Sequence, residues 1–162
     1  MVRFWPPIRS KEPVDPDVDL HVPAQRRELR FPQSPVVAVV AVGGAMGACA
    51  RYGAGLLWPD APDAFPWTTM TVNAVGCGVI GVFMVIISDV WAAHRLVRPF
   101  FGTGVLGGFT TFSTYANDIR RLVEHREART GLVYMVLTVL VALAAVWIGS
   151  ALTRRVVEWR QQ

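Results

Sequence analysis

The residues best equipped for chemistry in this 162-residue chain are crowded into one run, GGFTTFSTYAND, residues 107–118. Four hydroxyls (Thr110, Thr111, Ser113, Thr114) alternate there with aromatics at every third position (Phe109, Phe112, Tyr115). Hydroxyls donate and accept hydrogen bonds. Aromatic ring edges are electropositive and can meet an anion, although a helical aromatic stripe also serves ordinary packing. The pair Gly107-Gly108 favours a helix break, because glycine tolerates unusual dihedrals at little steric cost. A break frees backbone groups: carbonyls that can hold a cation, and helix N-termini that favour anions. Two polar residues stand apart from this run. Asn73, in TVNAVGCGVIG, carries an amide with two donors, which suits either a neighbouring helix or an anion pathway. Arg51, in GGAMGACARY, is either an interfacial anchor or a source of positive potential for a water-filled vestibule.

The elements that must position these groups are long and apolar. Hydrophobic residues make up 52% of the chain and charged residues 17%. The distribution decides the class. Trp67 to Ser88, Pro99 to Asn117 and Gly131 to Thr153 carry no charge, and Val36 to Trp58 carries only Arg51. About 20 residues of helix cross a hydrocarbon core of roughly 30 Å. The pattern therefore predicts an all-α membrane protein with four transmembrane helices, near 36–57, 67–88, 97–117 and 131–153. Residues 1–35 hold seven of the eleven prolines and mixed charges, so we expect a flexible polar tail there, and a second short tail at 154–162. Gly43 with Gly47, Gly104 with Gly108, and the face of Asn73, Cys77 and Gly81 predict close helix packing.

The net charge of +4 accompanies no nucleic-acid motif and is explained by basic residues flanking spans. Eleven Lys and Arg lie on the side shared by both termini, against five on the other. Only bases near a span count fully, and dropping Arg3, Arg9 and Lys11 leaves eight against five. Both termini inside is favoured, and the bias is small enough to keep insertion in both orientations open. The acids Asp60, Asp63, Asp89, Asp118 and Glu124 are expected in loops or at helix ends, which argues against a proton-coupled exporter. His21, His94 and His125 lie outside the spans, and nothing points to an enzyme. Cys49 and Cys77, inside helices, make neither a metal signature nor a disulfide framework.

GGAMGACARY, TVNAVGCGVIG and GVLGGFTTFSTY together resemble the CrcB/Fluc fluoride channel family, across roughly residues 36–153. The resemblance implies an antiparallel, dual-topology dimer of four-helix subunits with a break in helix 3 and two fluoride pores. It also implies a structural sodium ion held at the dimer centre by backbone carbonyls, here those of Gly107 and Thr110. Matched by motif, the pore would use Asn73, Phe112, Ser113 and Thr114, with Tyr134 and Thr138 on helix 4 as the other wall and Arg51 at a vestibule. Tyr115 stands where the family usually has a second phenylalanine, and Asp118 about where many members carry glutamate. No role is assigned to Asp118.

These readings converge on a passive fluoride channel in the cell membrane. Fluoride enters as neutral HF, dissociates, and is trapped as the anion. A selective pore would let it leave, driven by the negative interior potential. The partners implied are fluoride, the lipid bilayer and a second subunit, either an identical chain or an oppositely oriented homologue; nucleic acid is not among them. A small four-helix multidrug or cation exporter and a non-transporting membrane assembly subunit are the alternatives.

Overall fold

The computed structural model describes residues 33–61, 64–90 and 95–161. The expected tail of residues 1–35 falls almost wholly outside them. The described residues from Pro35 onward form one compact unit built only of helices. Helix α1 is Ser34–Leu57 and α2 is Trp67–Val85, the latter running on into a π-helical turn, Ile86–Val90. A π-helical stretch, Pro99–Leu106, continues directly into the α-helical turn Gly107–Phe109, and the two together are α3. Helix α4 is Phe112–Glu124, and α5 is Ala128–Gln161.

Local chemistry sets the boundaries. Pro59 follows α1 by two residues and disfavours helix in the residue before it. Helix α2 starts after Pro66, and the Asp60 carboxylate accepts from the Thr68 N–H at 3.0 Å, meeting one of the helix's orphan donors from outside. Pro99 opens α3, where its missing N–H costs nothing. Thr111 caps α4: its Oγ1 accepts from the Thr114 N–H at 3.1 Å. Helix α4 ends in a Schellman turn, with Glu127 N–H on the Leu122 carbonyl (2.8 Å) and Arg126 N–H on the Val123 carbonyl (3.0 Å). Arg126 occupies the left-handed position of that turn at φ 64°.

Three helices are long and apolar enough to cross a membrane: Ser34–Leu57, Trp67–Ser88 and Ala128–Trp159. Their outward faces are apolar. Val42 and Met46 on α1, Val75 and Val79 on α2, and Val136, Leu140, Leu143 and Trp147 on α5 are all exposed. The interior core is small: Met70, Tyr115, Leu122 and Tyr134, with Phe65, Ile119 and Leu137 packed on it. An apolar outside around so small a core is the arrangement a lipid solvent rewards. The chain is a multi-pass membrane protein. Helix α5 does not stop at residue 153 but carries Arg154 and Arg155 onward in helix to Gln161.

Glycines bring the backbones together. Helix α2 packs along α5, where a Cβ at Gly149 would strike the Gly78 carbonyl and one at Gly81 the Val146 carbonyl, the latter at 2.5 Å. Helix α1 rides on α3 in the same manner. A Cβ at Gly43 would come within 2.6 Å of the Phe100 carbonyl, and one at Gly47 would collide with the Val105 carbonyl. Glycine faces of this kind permit van der Waals packing where no hydrophobic drive between helices exists.

Candidate functional site

The third predicted span, 97–117, is two helical pieces. Between α3 and α4, Thr110 (φ −75°, ψ 156°) and Thr111 (φ −149°, ψ 125°) are extended. The glycines are not where the backbone departs from helix. Gly107 is helical at φ −65°, ψ −35°, and no described glycine has positive φ. Their role is proximity: a Cβ at Gly108 would overlap the Gly44 carbonyl.

Side chains from both flanking helices hold the extended pair. Asn73 on α2 grips the Thr111 backbone twice, with Nδ2 donating to the Thr111 carbonyl (3.0 Å) and Oδ1 accepting from the Thr111 N–H (2.8 Å). In an uninterrupted helix that N–H would return to the Gly107 carbonyl. Gly76, one turn further along α2, leaves room for the Thr110 methyl and the Phe109 ring. Arg51 on α1 donates through Nε to the Gly108 carbonyl at 3.3 Å. Thr110 spends its own donors locally, N–H and Oγ1 both reaching the Leu106 carbonyl at 2.9 Å. Arg51, Thr68, Thr69, Thr111 and Thr114 then line a cavity of about 310 Å³. Tyr52, Gly55, Leu56 and Val72 complete its lining, and the N-terminus of α4, carrying positive partial charge, opens on it through Thr111 and Thr114.

A second polar group lies inside the subunit between α4 and α5. Tyr134 is fully buried, with its hydroxyl 3.5 Å from Asp118 Oδ2. Asp118 pairs with Arg121 at 3.4 Å. Burial pushes the Asp118 carboxyl up, opposed by a hydrogen bond from Thr69 and by the Arg121 charge. Tyr115 stacks at 5.4 Å on Tyr134 and at 5.7 Å on Phe112. Its hydroxyl donates to the Met135 carbonyl at 3.0 Å. Thr138, one turn beyond Tyr134, is 6% exposed, with its hydroxyl beside that of Tyr134.

The chain matches the family described as CrcB-like protein, Camphor Resistance (CrcB), over residues 38–150. It is 64% identical over 129 residues to the fluoride-specific ion channel FluC 1 of Streptomyces coelicolor, covering 80% of this chain and 84% of that one. It is 63% identical over 124 residues to FluC 2 of Streptomyces avermitilis (76% and 78% covered), and 46% identical over 119 residues to FluC 2 of Nocardia farcinica (74% and 85% covered). This chain belongs to the CrcB-like family. As a CrcB-like protein it is a transporter rather than an enzyme.

Within this CrcB-like fold the expected site residues separate into two settings. Asn73, Thr114 and Arg51 meet around the extended pair, and Tyr115, Tyr134 and Thr138 are buried together inside the subunit. Phe112, 79% exposed, and Ser113 lie on the subunit's outer surface. Gly107 is exposed there too. Two expectations change. Arg51 is no simple interfacial anchor, because it is half-buried and bonded to α3. Asp118 is not at a helix end: α4 runs to Glu124, so Asp118 sits mid-helix at 5% exposure. Asp118 nonetheless lies beyond the predicted span 97–117 and outside the three membrane-length helices, and the family relationship separates this chain from an exporter. Sequence reasoning missed Thr111 as a cap, although a threonine directly before a helical run is an N-cap candidate. It also missed Thr69 and Phe65, for which composition offered no signal.

Proposed function

We propose that this CrcB-like protein is a fluoride-specific ion channel that lets the anion leave the cell passively and so lowers its cytoplasmic concentration. The identity of 64% to a protein named as a fluoride-specific channel, over four-fifths of the chain, carries the reading. The geometry supports it. Fluoride is small and strongly hydrated, so a pore must replace its water with hydrogen-bond donors. The cavity beside Thr110 and Thr111 is lined by Arg51 and four threonines, Thr68, Thr69, Thr111 and Thr114, among other residues. Asn73, Phe112, Ser113, Thr114, Tyr115, Tyr134 and Thr138 are the residues we assign to the path.

We further propose an antiparallel dimer in which the third span is broken at Thr110–Thr111 and faces its counterpart. Phe112 and Gly107 support this, since each is exposed on the isolated subunit where a second subunit would cover it. A sodium ion suits the same place. Its ligands would be the carbonyls of Gly107 and Thr110 from each subunit, hard oxygen donors, and the Gly107 carbonyl has lost its usual helical donor to Asn73. Bound there, sodium would supply a fixed positive charge between the two broken spans. The second subunit is this chain in the opposite orientation or an oppositely oriented homologue.

The test is fluoride efflux from liposomes containing the purified protein. We expect efflux in sodium, weaker efflux when a large organic cation replaces sodium on both sides, and no efflux for Phe112→Ile with the dimer intact. No efflux from intact wild-type protein in sodium would sink the channel reading.

A further inference from the structure

Gly43, Gly47 and Arg51 follow one another at intervals of four and therefore share a face of α1. The two glycines put that face directly on the α3 backbone, where Gly47 has no room for a Cβ beside the Val105 carbonyl and the Phe109 N–H. Arg51, one turn further, arrives where α3 ends. The Gly108 carbonyl there would, in a continuing helix, accept from the Phe112 N–H, which lies beyond the two extended residues. Arg51 Nε fills that vacancy at 3.3 Å. A cation at a helix C-terminus is also favoured by the dipole. The guanidinium is a rigid fork with five donors, so one donor can hold Gly108 while others face the cavity that Arg51 lines with Thr68, Thr69, Thr111 and Thr114.

We infer that Arg51 is a positioning residue. Through Nε it ties the end of α3 to α1 and fixes the direction of the carbonyls that follow, while Asn73 ties Thr111 to α2. The broken span is thus held from two helices at once. The link to the ion rests on the sodium reading above; the clamp does not. A vestibule charge would need only a positive side chain at this position. A clamp needs the guanidinium, because its Nε donor is fixed within a rigid planar fork, whereas lysine's three donors sit on one freely rotating ammonium at the end of a flexible stem and hold no fixed direction on the Gly108 carbonyl.

Arg51→Lys and Arg51→Gln, made in the full chain, separate these roles. Amide hydrogen exchange is read over Gly107–Tyr115, with Tyr134–Ser150 of α5 as an internal reference. We expect exchange over Gly107–Tyr115 to rise about tenfold in both variants, as for the loss of one charge-assisted hydrogen bond, with the reference unchanged. We also expect the sodium concentration for half-maximal fluoride efflux to rise several-fold in Arg51→Lys. Wild-type exchange in Arg51→Lys would overturn the clamp. A wild-type protein that exchanges as expected yet passes no fluoride would refute the channel reading and leave the clamp standing.

Discussion

Tyr115 is the position where this chain departs from the aromatic pattern of the family it resembles, and the structure gives its hydroxyl a partner. The ring stays within the stack of Phe112, Tyr115 and Tyr134, and the hydroxyl reaches across to the Met135 carbonyl of α5. The extra oxygen is thus a link between α4 and α5 and not a free donor for an ion. Tyr115→Phe should leave fluoride efflux within about twofold of wild type. It should destabilise the protein by about 0.5–1.5 kcal/mol, the net worth of one such bond, read from thermal unfolding in detergent. A large loss of efflux with unchanged stability would place the hydroxyl in the ion path. Asn73 teaches a related lesson. Its amide suited either a neighbouring helix or an anion pathway, and one donor and the carbonyl oxygen are spent on the Thr111 backbone.

At the level of elements, glycine acts here through close approach and not through torsional freedom. Gly108→Ala would drive a methyl into the Gly44 carbonyl, whereas Gly55→Ala would meet open space. We expect Gly108→Ala to cost about 1–3 kcal/mol or more and to abolish efflux. Gly55→Ala should be neutral or stabilising, since alanine favours helix over glycine by about 1 kcal/mol. Equal thermal stability of the two variants would contradict this account of the α1–α3 contact. The turn between α4 and α5 makes a separate prediction. Arg126 holds a left-handed conformation that costs an L-residue about 1–2 kcal/mol, so Arg126→Gly should raise the unfolding midpoint. An unchanged or lowered midpoint would mean the arginine side chain offsets that strain.

Orientation belongs to the whole molecule. Of the five bases on the side opposite the termini, two are engaged by acids: Arg120 with Glu124 at 3.7 Å and Arg121 with Asp118 at 3.4 Å. Arg154 and Arg155, on the terminal side, are exposed in the helical extension of α5. Acids weigh little in the orientation rule, so these ion pairs leave the count of eight bases against five, favouring termini inside, as it stood. A single cysteine at position 158, with Cys49 and Cys77 replaced, should be labelled by an impermeant reagent chiefly from the cytoplasmic face. A majority of one orientation would call for an oppositely oriented homologue as second subunit, and equal labelling from both faces would mean that this chain pairs with itself.

Much of this was legible in the order of residues. Uncharged runs of about 20 residues determine membrane helices because lipid cannot solvate charge or open backbone. Small residues at every fourth position determine close faces, and the clustered hydroxyls of residues 110–114 coincide with the extended pair Thr110–Thr111. What only the tertiary structure decided is where each polar group spends its hydrogen bonds. Thr110 and Thr111 leave helical dihedrals and the glycines do not, and Asn73 and Arg51, distant in the chain, supply partners to the backbone there. Asp118 turned inward because α4 outlasts the uncharged run, and Arg121 and Tyr134 stand ready to meet it. Those partners lie 3, 16, 38 and 57 residues away, and for the distant ones no local pattern encodes which will meet.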